Sequence, residues 1–166
     1  MLKILLLKFK KTRVVLILKK LGKTVVFDKN IVISASAGVV GKKEGEGPLA
    51  GEFDAVFEDT TLNQQSFELA ESAMMHDAIL RALKKADVSP ADVDFILCGD
   101  LLDQCVGSAF ALKDLEIPFI GLYGACSTMA LSLSTASMLV EMGASCCVAG
   151  TSSHFASSER QFRFDL

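Results

Sequence analysis

The chain has 166 residues, 51% of them apolar, with a mean hydropathy of +0.41 and a formal net charge of −3. That length suits one domain, and the acidic balance argues against nucleic acid as a partner. The five cysteines are odd in number and lack C-x-x-C spacing, which argues against a disulfide framework or a zinc site and for a reducing, intracellular compartment.

Charge is unevenly placed. Lys3, Lys8, Lys10, Lys11, Arg13, Lys19, Lys20 and Lys23 all precede the first acid, Asp28. Residues 1–24 therefore read as a basic, apolar leader, and 25–166 as the domain proper. The uncharged runs Ile4–Leu7 and Val14–Leu18 are too short to span a bilayer. Two readings of the leader stand: a membrane-surface segment, because basic and bulky apolar residues alternate, or a poorly packed start unrelated to the rest of the chain.

Val25–Ala35 is rich in β-branched residues and predicts a strand, or a hairpin around Asp28–Asn30. Gly38–Gly51 holds five glycines and Pro48 among charges and reads as a loop. Phe53–Asn63 is ambiguous. Ser66–Ala86 is the clearest helix, with an apolar stripe through Ala70, Met74, Ala78 and Leu83 and with Ser66 at its N-cap. A turn at Val88–Asp92 leads to a short buried strand, Val93–Cys98, and then to a second helix, Gln104–Leu115. Pro118–Tyr123 predicts a third strand, Ser127–Met142 a third helix ended by Gly143, and Ser145–Gly150 a last buried strand.

This β-α-β-α-β-α-β order predicts an α/β fold with a mixed, mostly parallel sheet covered by helices. Uninterrupted apolar strands such as Phe95–Cys98 fit a sheet buried on both faces. Ligands collect at the carboxyl ends of such strands, and three polar candidates fall there: Asp100, Cys126 and His154.

Cys126 lies between the strand ending near Gly124 and the following helix, at a turn with the elbow geometry used to present nucleophiles. Unpaired N–H groups and the positive dipole end of that helix favour an anionic sulfur. The alternative is inert packing, the commoner role of cysteine. Ser127 and Thr128 either cap the helix or help its N–H groups bind an anion. His154 is a candidate base or anion ligand, or a hydrogen-bonded structural histidine; His76, inside a helix, reads as structural. Asp100 orients a histidine, accepts from a ligand, or caps the next helix. Arg160 and Arg163 could grip a carboxylate in bidentate fashion, or form surface ion pairs. With no P-loop, G-x-G-x-x-G or zinc spacing, no cofactor and no metal are expected.

The stretches Glu46–Leu49 with Phe53-Asp54, Gly99–Gln104, Gly124-Ala-Cys-Ser-Thr128 and Thr151-Ser-Ser-His154 running to Glu159–Arg163 resemble the thiolase superfamily, and more closely its stage V sporulation protein AD family. The likeness runs from about Ile31 to Arg163, and the leader has no counterpart in it. It implies a thiolase-like fold, each half of which is a βαβαβαββ unit, with this chain supplying the first half. In the enzymes of that superfamily the nucleophilic cysteine sits in the first half, which Cys126 matches, while the catalytic histidine and its partner come from the second. The resemblance implies a dipicolinic acid-binding protein for dipicolinate uptake into the developing spore, peripheral to the spore inner membrane. Its partners would be membrane proteins of the same operon and a second thiolase-like half or a second copy. The expected ligand-binding set is Cys126, Ser127, His154, Asp100 and Arg160, with Asp100 orienting His154. The alternative is an acyltransferase or condensing enzyme using Cys126 as acyl acceptor, and a third option is a half-domain without activity of its own.

Overall fold

The computed structural model describes residues 2–9, 19–101 and 105–154. Among these described residues, eight strands and four helices come in chain order: β1 Leu2–Phe9, β2 Lys19–Leu21, β3 Thr24–Val26, β4 Ile31–Gly41, α1 Lys42–Gly45, β5 Ala55–Phe57, α2 Phe67–Lys85, β6 Phe95–Asp100, α3 Val106–Leu112, β7 Phe119–Gly121, α4 Thr128–Met142 and β8 Cys146–Ser152. Six strands form one sheet in the order β5-β4-β1-β8-β6-β7, and β2 and β3 pair separately. β4 with β5, β6 with β7 and β6 with β8 are parallel; β1 is antiparallel to both β4 and β8. This is the mixed, helix-covered α/β sheet of a thiolase-like fold.

Each face of the sheet carries its own core. On one, Met75, Ala78, Ile79, Ala82 and Leu83 of α2 pack on Ile4, Leu6, Val39, Ile96 and Val148. These α2 positions recur at three and four residues, which sets them on one helical face. Ser66 caps α2 as expected, accepting from the Leu69 N–H at 3.2 Å. On the other face, Ala136 and Val140 of α4 pack on Leu7, Leu97, Cys147 and Ala149. Gly143, at φ +130°, stops α4 in a conformation that side chains resist. Glu141, 1% exposed, accepts from the backbone N–H groups of Asp28 and Lys29 at 3.2 and 3.1 Å, tying the segment after β3 to the end of α4.

Three expectations change. The leader is neither a surface segment nor a loose start over Leu2–Phe9: these residues form an inner strand, with Ile4 and Leu6 buried in one core and Leu7 in the other. Gly38–Gly41 belongs to β4 rather than to a loop. There the Gly38 N–H donates to the Asp54 carboxylate at 2.9 Å, the Asp54 N–H returns to the Gly38 carbonyl at 2.8 Å, and pairing with β5 outweighs the local flexibility of glycine. Asp28–Asn30 does not close a hairpin onto β4, because β3 pairs with β2.

Candidate functional site

The carboxyl ends of β6, β7 and β8 lie on one rim, as the parallel pairing requires: Asp100 is in register with Ser152, and Cys98 with Gly121. The strands crowd there. A Cβ on Gly99 would stand 1.7 Å from the Leu122 carbonyl oxygen, so only glycine lets β6 meet the chain leaving β7.

Asp100 does not orient His154. It is 1% exposed, and its carboxylate accepts from the Cys105 N–H and from both the N–H and the hydroxyl of Ser108, each at 3.4 Å. Of the three roles open to it, Asp100 fills that of holding the start of α3. Cys105, which carries no motif in the sequence, sits in the left-handed region at φ +73° and donates its thiol to the Leu122 carbonyl at 3.3 Å. Burial, with the nearby Asp100 charge added, pushes its thiol up from its ordinary value. Asp100, buried, and Cys105, half-buried, thus brace the exit of β7 from beneath.

That exit leads to the elbow. Ala125 takes a left-handed φ of +45°, a costly conformation for a residue with a Cβ. It is held by Thr128, whose hydroxyl donates to the Ala125 carbonyl at 2.8 Å and accepts from the Gly124 N–H at 3.2 Å. Ser127 donates its hydroxyl to the Gly124 carbonyl at 2.7 Å and makes no side-chain cap to α4. Cys126 sits on this short 3-10 turn, exposed, immediately before α4.

His154 lies two residues past β8. Its ring stacks on Phe67, the first residue of α2, with centroids 5.3 Å apart, and its Nε2 is 3.0 Å from the Thr60 carbonyl oxygen. This places it against α2, on the opposite face of the sheet from α4, and no hydrogen bond joins it to Cys126 or Asp100 among the described residues. Beside it opens a cavity of about 290 Å³, lined by Lys42, Lys43, Leu62, Phe67, Met74 and His154 among others. Lys42 pairs with Glu58 at 3.3 Å. Beneath the rim, Ser152 donates to the buried carboxylate of Glu71 at 2.7 Å. Phe67, Lys42 and Lys43 are absent from the sequence-based set because they come to this cavity from distant segments; nothing local to Thr151–His154 announces them. Arg160 and Arg163 lie outside the described residues.

The family described as Stage V sporulation protein AD (SpoVAD) matches residues 22–166. The chain belongs to this family. A member from Bacillus subtilis (strain 168), named Stage V sporulation protein AD, is 42% identical over 149 residues. The aligned stretch covers 89% of this chain and 44% of that relative, so the chain spans less than half of the relative's length. Membership of the stage V sporulation protein AD family makes this a sporulation protein. Among the described residues, no helix is long and apolar enough to cross a membrane.

Proposed function

We propose that the chain binds dipicolinic acid and serves dipicolinate uptake into the developing spore, at the periphery of the spore inner membrane and with membrane proteins of the same operon. The observation that carries this reading is the cavity whose lining combines an imidazole stacked on an aromatic ring with two lysines, against one lining acid, Glu44. Dipicolinate is a small, planar dianion: an aromatic wall suits its ring, and cationic donors suit its carboxylates. The cavity is near the lower end of the range that encloses small ligands. Arg160 completes the proposed binding set, whereas Cys126 and Ser127, at the exposed turn before α4, stand across the sheet from His154 and belong to the second reading below. Asp100 contributes by bracing the rim from below.

Calorimetric titration of dipicolinate into the chain tests the reading. His154→Ala is expected to weaken binding at least about tenfold, equivalent to roughly 1.4 kcal/mol. Unchanged affinity removes His154 from the site, and no binding by the unsubstituted chain defeats the proposal.

Acyl transfer is a second reading, favoured by one observation: an exposed thiol on a turn held in a left-handed conformation. In that reaction the Cys126 sulfur attacks the thioester carbonyl of an acyl-CoA, the carbon–sulfur bond to CoA breaks, and the proton leaves with the CoA thiol. Acylation by an acyl-CoA, lost in Cys126→Ser, would establish it.

The proposed partner surface is the outward side of α4. From Ile117 to Ser158 the only charged side chain besides the histidine is the buried Glu141, and Leu131 and Met142 are exposed. Such a face suits a second thiolase-like half or a second copy of this chain.

A further inference from the structure

The strand at the middle of the sheet lies outside the segment that the family shares. β1 spans Leu2–Phe9, whereas the family match begins at residue 22; β4 and β8, the neighbours of β1, both fall inside the match. β1 is antiparallel to both neighbours in a sheet whose other pairings are all parallel among the described residues. Without it the sheet would divide into β5-β4 and β8-β6-β7, with two hydrogen-bonding edges facing each other across a gap one strand wide.

The gap is shaped for an apolar strand. Ile4 and Leu6 fill one core and Leu7 the other. Gly150 makes room for the first of these: a Cβ there would meet the Ile4 Cγ1 at 3.3 Å. On the opposite side, Ser34 donates its hydroxyl to the Leu6 carbonyl at 3.2 Å, next to the register shift between Leu6 and Leu7.

We propose that the groove between β4 and β8 is a strand-acceptor site, and that Leu2–Phe9 is its occupant: an inserted, replaceable strand that completes the sheet by β-augmentation. Pairing of the backbone along β4 and β8 supplies the attraction, and the alternate pockets for Ile4, Leu6 and Leu7 supply selectivity. Such a groove takes an extended apolar segment of either origin, from the same chain or from a second copy.

The test uses the full chain carrying Leu6→Glu, which weakens its own strand, together with a synthetic peptide of residues 1–11. The substitution is expected to lower the melting temperature, and excess peptide to restore it while a scrambled peptide does not. With oxidised glutathione added as the two-electron oxidant, a peptide carrying Leu7→Cys is expected to form its disulfide with Cys147, the residue facing Leu7 across the β1–β8 pairing, and unlabelled peptide should compete. Should Leu6→Glu not fold, the wild-type chain with a protease site inserted within residues 10–18 is cleaved and challenged with labelled peptide. Uptake of the label with release of the native strand supports the proposal. An unaltered melting temperature in Leu6→Glu, equal rescue by the scrambled peptide, crosslinking at Cys126 instead of Cys147, or a cleaved chain that never exchanges would overturn it.

Discussion

Asp100 and Cys126 stand at neighbouring strand exits on one rim, yet Asp100 is 1% exposed with its carboxylate directed to three groups of α3 and its lead-in, while Cys126 is exposed on a turn whose hydrogen bonds pass through its neighbours. The difference teaches that arrival at the carboxyl edge of a sheet confers only the opportunity for function. What separates support from site is whether the backbone beyond the strand closes over the side chain. After β6 it does, because the start of α3 turns its N–H groups onto Asp100. After β7 it does not, because Thr128 and Ser127 satisfy the turn themselves and leave the sulfur outward.

The sharpest way to break this contrast is to remove each side chain. Asp100→Ala leaves the Cys105 and Ser108 donors unpaired in a buried place and is expected to cost about 3 kcal/mol. Cys126→Ala should fall within about 0.5 kcal/mol of the parent. Urea unfolding of the two variants side by side checks this, and equal losses would erase the distinction. Gly99→Ala belongs with Asp100: the Leu122 carbonyl must move aside, at a cost of about 3 kcal/mol.

The cysteines extend the contrast to pH. Burial pushes the Cys146 thiol up to about 11 and the Cys147 thiol up to about 12 from an ordinary value of 9.0, so the folded chain keeps these protons where the unfolded chain loses them. Their contribution is complete below about pH 9 and is lost as pH rises through 11 to 12. The urea midpoint is therefore expected to fall over that window, and less steeply in Cys147→Ala. A midpoint independent of pH above 9 would contradict the burial. Alkylation under native conditions should reach Cys126 first and the β8 pair only on unfolding.

A smaller loss than those at Asp100 and Gly99 is expected at the N-cap of α2. Ser66→Ala removes one bond to the Leu69 N–H and should cost about 1 kcal/mol. A thermal melt reads it.

Much of this architecture is legible in the chain because it is written in local chemistry. The stripe from Ala70 to Leu83, the capping Ser66, the elbow at Gly124–Thr128 and the stop at Gly143 each depend on residues within a few positions of one another. β1 hides for a physical reason: Lys3 and Lys8 around an apolar stretch mimic an amphipathic surface segment. The uninterrupted run Ile4–Leu7 carries the contrary signal, the same two-sided burial that marks Phe95–Cys98 as an inner strand. The glycines of Gly38–Gly41 mask a strand whose existence depends on Asp54 and β5. The surroundings of His154 are the least legible, because Thr60 and Phe67 meet it, and two lysines join it around the cavity, only through the tertiary fold.

The two histidines permit a direct test of the claim that ligand gathers on the His154 side of the rim. His76, within α2, holds its Nδ1 2.8 Å from the Ala111 carbonyl oxygen, whereas His154 borders the cavity. Imidazole nitrogen spectra recorded during a dipicolinate titration should show one resonance moving, the one that disappears in His154→Ala. Movement of the His76 resonance alone, or of neither, would contradict the account.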